Sequence, residues 1–322
     1  MDFRRMIIVL CVVFTTPTAV FAAPPYPNKP VRLVVAYPPG GTTDLLARVL
    51  SASLSPVWGQ QIVVDNRAGA AGMIGAEQVV RAAADGYTLL LGFTPEVSIN
   101  KLLYKDMRYD PLIDLQAIVF LGSSPLLLAS SPTVGISSFA DLLKQKDRNA
   151  SLSYGSPGFG AQQHLAGELL RFQTGVKLTH VPYKGTGLAV AALLGGHIDL
   201  LFAATPPLIS HVRAGKINPL MVTDTQRDAL LPNVPSANEL GLQGFVLSSW
   251  FGVFGPKNMN RALVEKISSN VTAVLSDKAI VKKLAEEGLT VRFLPAQQFQ
   301  AFIAVEMKKY GDIITKAGVQ RQ

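Results

Sequence analysis

The sequence predicts an α/β protein of two domains, each a mostly parallel sheet flanked by helices. Three observations lead there. From Val31 the chain alternates short apolar runs with helical stretches, the order that produces parallel sheets with right-handed crossovers. Two glycine-rich turns, Pro38-Pro39-Gly40-Gly41-Thr42-Thr43-Asp44 and Ser156-Pro157-Gly158-Phe159-Gly160-Ala161-Gln162, each stand between such a strand and a helix. Two apolar runs, 117–130 and 244–254, are placed to cross between the halves. The expected domains are 23–124 with 247–322, and 125–246 inserted between them.

The chain opens on a leader, residues 1–22. Arg4 and Arg5 form a basic start, an apolar run follows to Phe14, and Val20-Phe21-Ala22 supplies small residues for cleavage. The apolar stretch is too short to span a bilayer as a stable helix. Val31-Arg32-Leu33-Val34-Val35-Ala36-Tyr37 reads as a buried strand and 43–54 as a helix. A strand at 61–66, a helix at 72–84 and a strand at 88–93 complete a βαβαβ unit. Ligands of such sheets sit beyond the carboxyl ends of the strands. In the second half, strands are expected at 151–154, 177–183 and 198–203, with helices at 162–174, 188–194 and 207–214. The tail from Arg261 reads as two helices around a strand at 290–294, returning to the first domain.

Composition narrows the function classes. The chain has 322 residues and 30 basic against 22 acidic side chains, a formal net charge of +8. Removing Asp2, Arg4 and Arg5 with the leader leaves 28 against 21, or +7. The basic groups form no cluster, so nucleic acid is not an expected partner; the charge suits long-range attraction of anionic solutes. The single cysteine, Cys11, lies in the leader, and export at this size needs no disulfide staple. The four histidines show no i,i+4 pairing, so no metal is expected. No cofactor is expected either. Gly158-Phe159-Gly160-Ala161-Gln162-Gln163 has Gln where a dinucleotide fingerprint needs its third glycine, and no phosphate loop occurs.

The two turns are where chemistry is expected. A helix start carries about half a positive charge and several unpaired N–H groups. Two or three charge-assisted hydrogen bonds, each worth about 1.5–3 kcal/mol, hold a carboxylate without any arginine. The expected donors are Gly41, Thr42 and Thr43 in the first turn and Ser156, Gly158 and Gly160 in the second. Asp44 is read as a helix-start residue. Tyr37, Thr94, Ala203 and Thr205 are candidates for the walls. A rival reading is an exported serine hydrolase built on Ser156, His164 and Asp199. The context Gly155-Ser156-Pro157-Gly158 is out of step with a nucleophile elbow.

Several strings together resemble one family. They are Tyr26-Pro27-Asn28-Lys29-Pro30-Val31-Arg32, Pro39-Gly40-Gly41-Thr42-Thr43-Asp44, Asp65-Asn66-Arg67-Ala68-Gly69-Ala70-Ala71-Gly72-Met73-Ile74-Gly75 and Asp85-Gly86-Tyr87-Thr88-Leu89-Leu90. They continue in the stretch from Tyr154 through His164-Leu165-Ala166-Gly167-Glu168, in His180-Val181-Pro182-Tyr183-Lys184-Gly185 and in Gly195-Gly196-His197-Ile198-Asp199-Leu200. The chain thereby resembles the substrate-binding proteins of tripartite tricarboxylate transporters, or Bug-type receptors, over essentially its whole mature length. The resemblance implies a type II periplasmic binding protein (a Venus flytrap) that performs no chemistry. It implies a monomer that captures a small carboxylic acid and delivers it to membrane permease subunits; a sensor presenting ligand to a signalling kinase is the alternative. One departure stands out. Relatives commonly carry Asp then Asn after the strand at 198–202, where this chain has Ala203-Ala204-Thr205. Losing that acid favours di- and tricarboxylates or aromatic acids over amino acids.

Overall fold

The computed structural model describes residues 26–147 and 151–322. The leader and the mature start expected at 23–25 lie outside the described residues. The first half consists of β1 (Val31–Val35), α1 (Thr42–Trp58), β2 (Ile62–Asn66), α2 (Met73–Val80) and β3 (Thr88–Phe93). A π-helical turn at Pro95–Ile99 and the short helices α3 (Asn100–Leu103) and α4 (Pro111–Asp114) follow. The strand β4 (Leu115–Ser130) leads past α5 (Phe139–Leu143) into β5 (Leu152–Ser156), α6 (Gln162–Thr174), β6 (Leu178–Pro182), α7 (Thr186–Leu194), β7 (Leu200–Ala204), α8 (Pro206–Arg213) and β8 (Asn218–Val222). The chain closes through β9 (Ser248–Pro256), α9 (Arg261–Leu275), α10 (Lys278–Glu286), β10 (Thr290–Pro295) and α11 (Ala296–Ala317). The tail therefore holds three helices, not two. Asp277 ends the run by accepting the N–H groups of Ala279 and Ile280 and so starting α10.

The strands hydrogen-bond in the order β2-β1-β3-β9-β4-β7-β5-β6, with β8 and β10 also on β4. β1 is parallel to β2 and β3, and β5 is parallel to β6 and β7, so each half has a parallel centre. Between them run two antiparallel strands. The first part of β4, Leu115 to Pro125, pairs with β9; its second part, Leu126 to Ser130, pairs with β7 and β8. One 16-residue strand thus belongs to both halves. It bends at Gly122, where φ is 152° and the register with β9 shifts. A Cβ there would lie 2.4 Å from the Thr290 carbonyl oxygen, so only glycine lets β10 approach.

Apolar side chains cover both faces of each half. Leu33, Leu46, Leu50, Leu89 and Ile267 pack on one face of the first half, and Val34, Leu90, Phe120, Trp250 and Phe299 on the other. Leu128, Tyr154, Leu165, Leu169 and Phe202 pack on one face of the second half, and Leu127, Val190, Leu201 and Leu208 on the other. α11 joins the two. Its Phe299 and Ile303 enter the Trp250 cluster, whereas Tyr310, Ile313 and Ile314 enter the Leu165 cluster. The tail therefore packs on both halves rather than on the first alone.

Candidate functional site

The first turn leaves the carboxyl end of β1 and enters α1 with no side-chain cap; Gly41 occupies the capping position. Asp44 is buried and fully engaged. It accepts from the Gly40 N–H (3.0 Å), the Asn66 side chain (3.1 Å) and Arg48 Nε (2.9 Å). Burial alone raises its carboxyl, but these hydrogen bonds outweigh that and hold it below the usual carboxylate range. Asp44 thus anchors the turn, as its helix-start reading expects. Among the described residues the N–H groups of Gly41, Thr42 and Thr43, and both threonine hydroxyls, have no partner in the chain. The first four amides of a helix point out of it unpaired. Gly41 and Thr42 are exposed to solvent in whole or part, and Thr43 is buried.

The second turn leaves β5 and enters α6, again without a side-chain cap. Its own groups consume several expected donors. Ser156 Oγ donates to the Gly158 carbonyl (2.9 Å), accepts the Gly158 N–H (3.1 Å) and lies 2.7 Å from His180 Nε2. The Gly160 N–H donates to His164 Nδ1 at 3.3 Å. Among the described residues the N–H of Phe159 and those of Gln162, Gln163 and His164 in the first turn of α6 have no partner in the chain. The Gln162 amide nitrogen bonds Ser249 Oγ on β9, while its Oε1 is buried without a partner. The turn packs against α3 and the residue after it: a Cβ on Gly160 would lie 3.0 Å from Leu103 Cδ1, and the Tyr104 hydroxyl donates to the Phe159 carbonyl (3.4 Å).

The wall candidates divide. Tyr37 stands beside the first turn, its ring edge-on to Phe93, and donates to Glu96 Oε2 at 2.7 Å. Thr94 is fully buried and clamps β9, accepting the Trp250 N–H (2.9 Å) and donating to its carbonyl (3.3 Å). Ala203 is fully buried in the apolar cluster with Leu127, Val190 and Leu208. The Thr205 hydroxyl is spent on Asp228 Oδ2, 2.8 Å away. The hydrolase residues are not brought together either. The imidazole at Ser156 is that of His180, and Asp199 instead accepts from the N–H and hydroxyl of Ser153, both at 2.7 Å.

Two features escape the sequence reading. One is the turn Gly69 to Gly72, where Ala70 and Ala71 adopt positive φ of 47° and 52°, a conformation costly for non-glycine residues. The Asn100 side chain holds it by donating to the Ala71 carbonyl (2.8 Å), and a Cβ on Gly72 would touch the Tyr37 hydroxyl. The other is Glu96, fully buried under Tyr37, whose carboxyl burial pushes up to about 8 despite bonds from Tyr37 and the Phe93 N–H.

That buried carboxyl carries a stability signature. The folded state holds its proton near neutral pH, whereas the unfolded chain releases it above about pH 4.5. Its contribution to stability is therefore complete below the unfolded value and is lost as pH rises through about 8. Glu96→Gln abolishes this component. Scanning calorimetry at about pH 5 and about pH 8 should show the wild type losing more melting temperature than the variant. Parallel losses would contradict a protonated Glu96.

No helix among the described residues is long and apolar enough to cross a membrane, and no group of three or more His, Cys, Asp or Glu there is arranged to hold a metal ion. A groove of about 310 Å³ between α6 and α11, lined by Phe172, Val305 and Lys316 among others, includes none of the turn or wall residues.

Comparison with known proteins adds four findings. The model of the tripartite tricarboxylate transporter family receptor matches residues 46–319. Protein BugT of Bordetella pertussis is 34% identical over 324 aligned positions, covering 99% of each chain. Among solved structures, R. palustris Rpa4515 with adipate is 34% identical, with a TM-score of 0.86 over 92% of this chain and 100% of that one. MatC from Rhodopseudomonas palustris, with bound malate, is 28% identical, with a TM-score of 0.80 over 90% and 100%.

Proposed function

Because the chain belongs to the tripartite tricarboxylate transporter receptor family and folds as a two-domain type II periplasmic binding protein, we propose that it captures a small dicarboxylic acid between its two α/β halves and delivers it to membrane permease subunits. The observation that carries this reading is the pair of uncapped helix starts, α1 and α6, each at the carboxyl end of a parallel strand. One carboxylate takes the N–H groups and hydroxyls of Thr42 and Thr43, with Gly41. The other takes the outward N–H groups of Phe159 and Gln162. Ser156, Gly158 and Gly160 shape that second turn. Tyr37 and the Ala70–Ala71 backbone stand beside the first carboxylate. Closure of the halves, through the shared strands β4 and β9, excludes water and strengthens the charge-assisted bonds.

The ligand lacks an amine. Ala204 offers no acid, Asp228 is occupied by the Thr205 hydroxyl and the Leu230 N–H, and burial raises the Glu96 carboxyl to about 8. An ammonium group would find no free anionic partner among these residues. The solved relatives with adipate and with malate hold acids of this kind.

Isothermal titration of the mature protein with adipate, malate, aspartate and glutamate tests the proposal. The dicarboxylates without an amine should bind at least about tenfold more tightly than either amino acid, a difference of about 1.4 kcal/mol. Aspartate or glutamate binding more tightly than every non-amino acid would overturn the ligand class.

A further inference from the structure

The strings around His164 and His180 have no part in the proposed contacts, yet both imidazoles lie directly behind the second turn. His164, in the first turn of α6, accepts the Gly160 N–H at Nδ1, and His180, on β6, meets the Ser156 hydroxyl at 2.7 Å. Their rings stack with centroids 4.1 Å apart. Tyr154 lies on the His180 side at 5.0 Å and Phe159, itself part of the turn, on the His164 side at 4.9 Å. Four rings from β5, β6, α6 and the turn thus form one continuous layer. At its base the Tyr154 hydroxyl donates to Glu168 Oε1 (2.7 Å), and Glu168 pairs with Arg171 (2.9 Å).

The geometry points to His164 and His180 as positioning residues that hold the Ser156 to Gly160 turn in its ligand-receiving conformation. This inference rests on the receptor reading above, and it assigns the two histidines a role within that site. The physical need is clear. Gly158 and Gly160 have φ of 151° and 76°, and a turn so rich in glycine has many other conformations open to it. Fixing one such backbone residue costs about 1–2 kcal/mol, which a loose turn would charge against every binding event. Tying the Gly160 N–H and the Ser156 hydroxyl to the ring stack meets that cost during folding. It also turns these two donors away from the ligand, leaving the N–H groups of Phe159 and Gln162 to face it. His164 must present a bare Nδ1, and so carries its proton on Nε2. Burial, which lowers the proton affinity of both imidazoles, keeps that state.

Conservative and disruptive variants of the mature protein separate positioning from bulk packing. Asn places its Oδ1 where Nδ1 stands, so His164→Asn keeps the acceptor; His164→Leu keeps the volume and loses it. The readouts are amide hydrogen exchange across 156–162 and adipate or malate affinity by calorimetry. His164→Leu should speed exchange at Gly160 and weaken dicarboxylate binding by about tenfold or more, while His164→Asn stays within about threefold of wild type. His180→Gln against His180→Leu should repeat the pattern at Ser156. If a leucine variant fails to fold, His164→Gln replaces it, because its polar atoms sit one bond too far out. Leucine variants that exchange and bind like wild type, or Asn no better than Leu, would overturn the assignment. If wild type binds no carboxylate but the exchange pattern and its rescue by Asn hold, only the receptor reading falls.

Discussion

Thr42→Pro is expected to weaken dicarboxylate binding roughly tenfold to a hundredfold while leaving the fold intact. Thr42 is the first residue of α1, the one helical position that proline tolerates, because its N–H has no intrahelical partner. Gly41 before it has φ −89° and ψ 173°, an extended conformation compatible with a following proline. The substitution therefore deletes one outward amide and one hydroxyl with little disturbance to the helix. If that amide makes a charge-assisted bond to a carboxylate, its loss costs about 1.5–3 kcal/mol of binding. Thr42→Ala removes the hydroxyl alone and should cost less. Calorimetry with adipate or malate reads both. Equal affinities for wild type and Thr42→Pro would take the α1 turn out of the site.

Thr94→Val should reduce stability and spare binding. After Phe93 the backbone of β3 turns into the π-helical segment and stops pairing with β9. The Thr94 hydroxyl continues the ladder by serving both the N–H and the carbonyl of Trp250. Valine fills the same volume and leaves both groups buried and unpaired beside the aromatic cluster of Phe120, Trp250 and Phe299. The cost is about 2–4 kcal/mol. With an unfolding entropy of about 2.1 cal/mol/K per residue over about 300 residues, the melting temperature should fall by about 3–6 °C. Dicarboxylate affinity at 25 °C should stay within about threefold. A large loss of affinity at unchanged melting temperature would return Thr94 to the ligand's wall.

Local signals carried much of the fold. α6 begins at Gln162 and ends at Thr174 as expected because Gly175 supplies the left-handed residue that stops a helix. β3 falls at Thr88–Phe93 because Asp85-Gly86 fixes the turn before it and Thr94-Pro95 ends it. β8 escaped notice because Asn218-Pro219 reads as a turn. The strand tolerates Pro219 next to an irregularity in its pairing with β4, where proline's missing N–H does least harm. The division of the tail between two cores was not legible, since α11 carries an apolar stripe along its whole length and no sequence signal says which half receives it.

The site was legible as two turns but not as a set of donors. The glycines and the helix starts are local, so their places could be read. Which N–H groups stay free depends on partners far away in sequence. His180 reaches Ser156 across 24 residues, and Thr94 reaches Trp250 across 156. Asn100 holds the Ala70–Ala71 turn across 29. Strand alternation sends Ala203, expected as a wall, into the apolar cluster with Leu127 and Leu208.

A crystal structure of the mature protein grown with adipate tests the central claim most directly. One adipate carboxylate should lie about 3 Å from the backbone nitrogens of Thr42 and Thr43, and the other about 3 Å from those of Phe159 and Gln162. Adipate held by one half alone, or seated in the groove between α6 and α11, would contradict it.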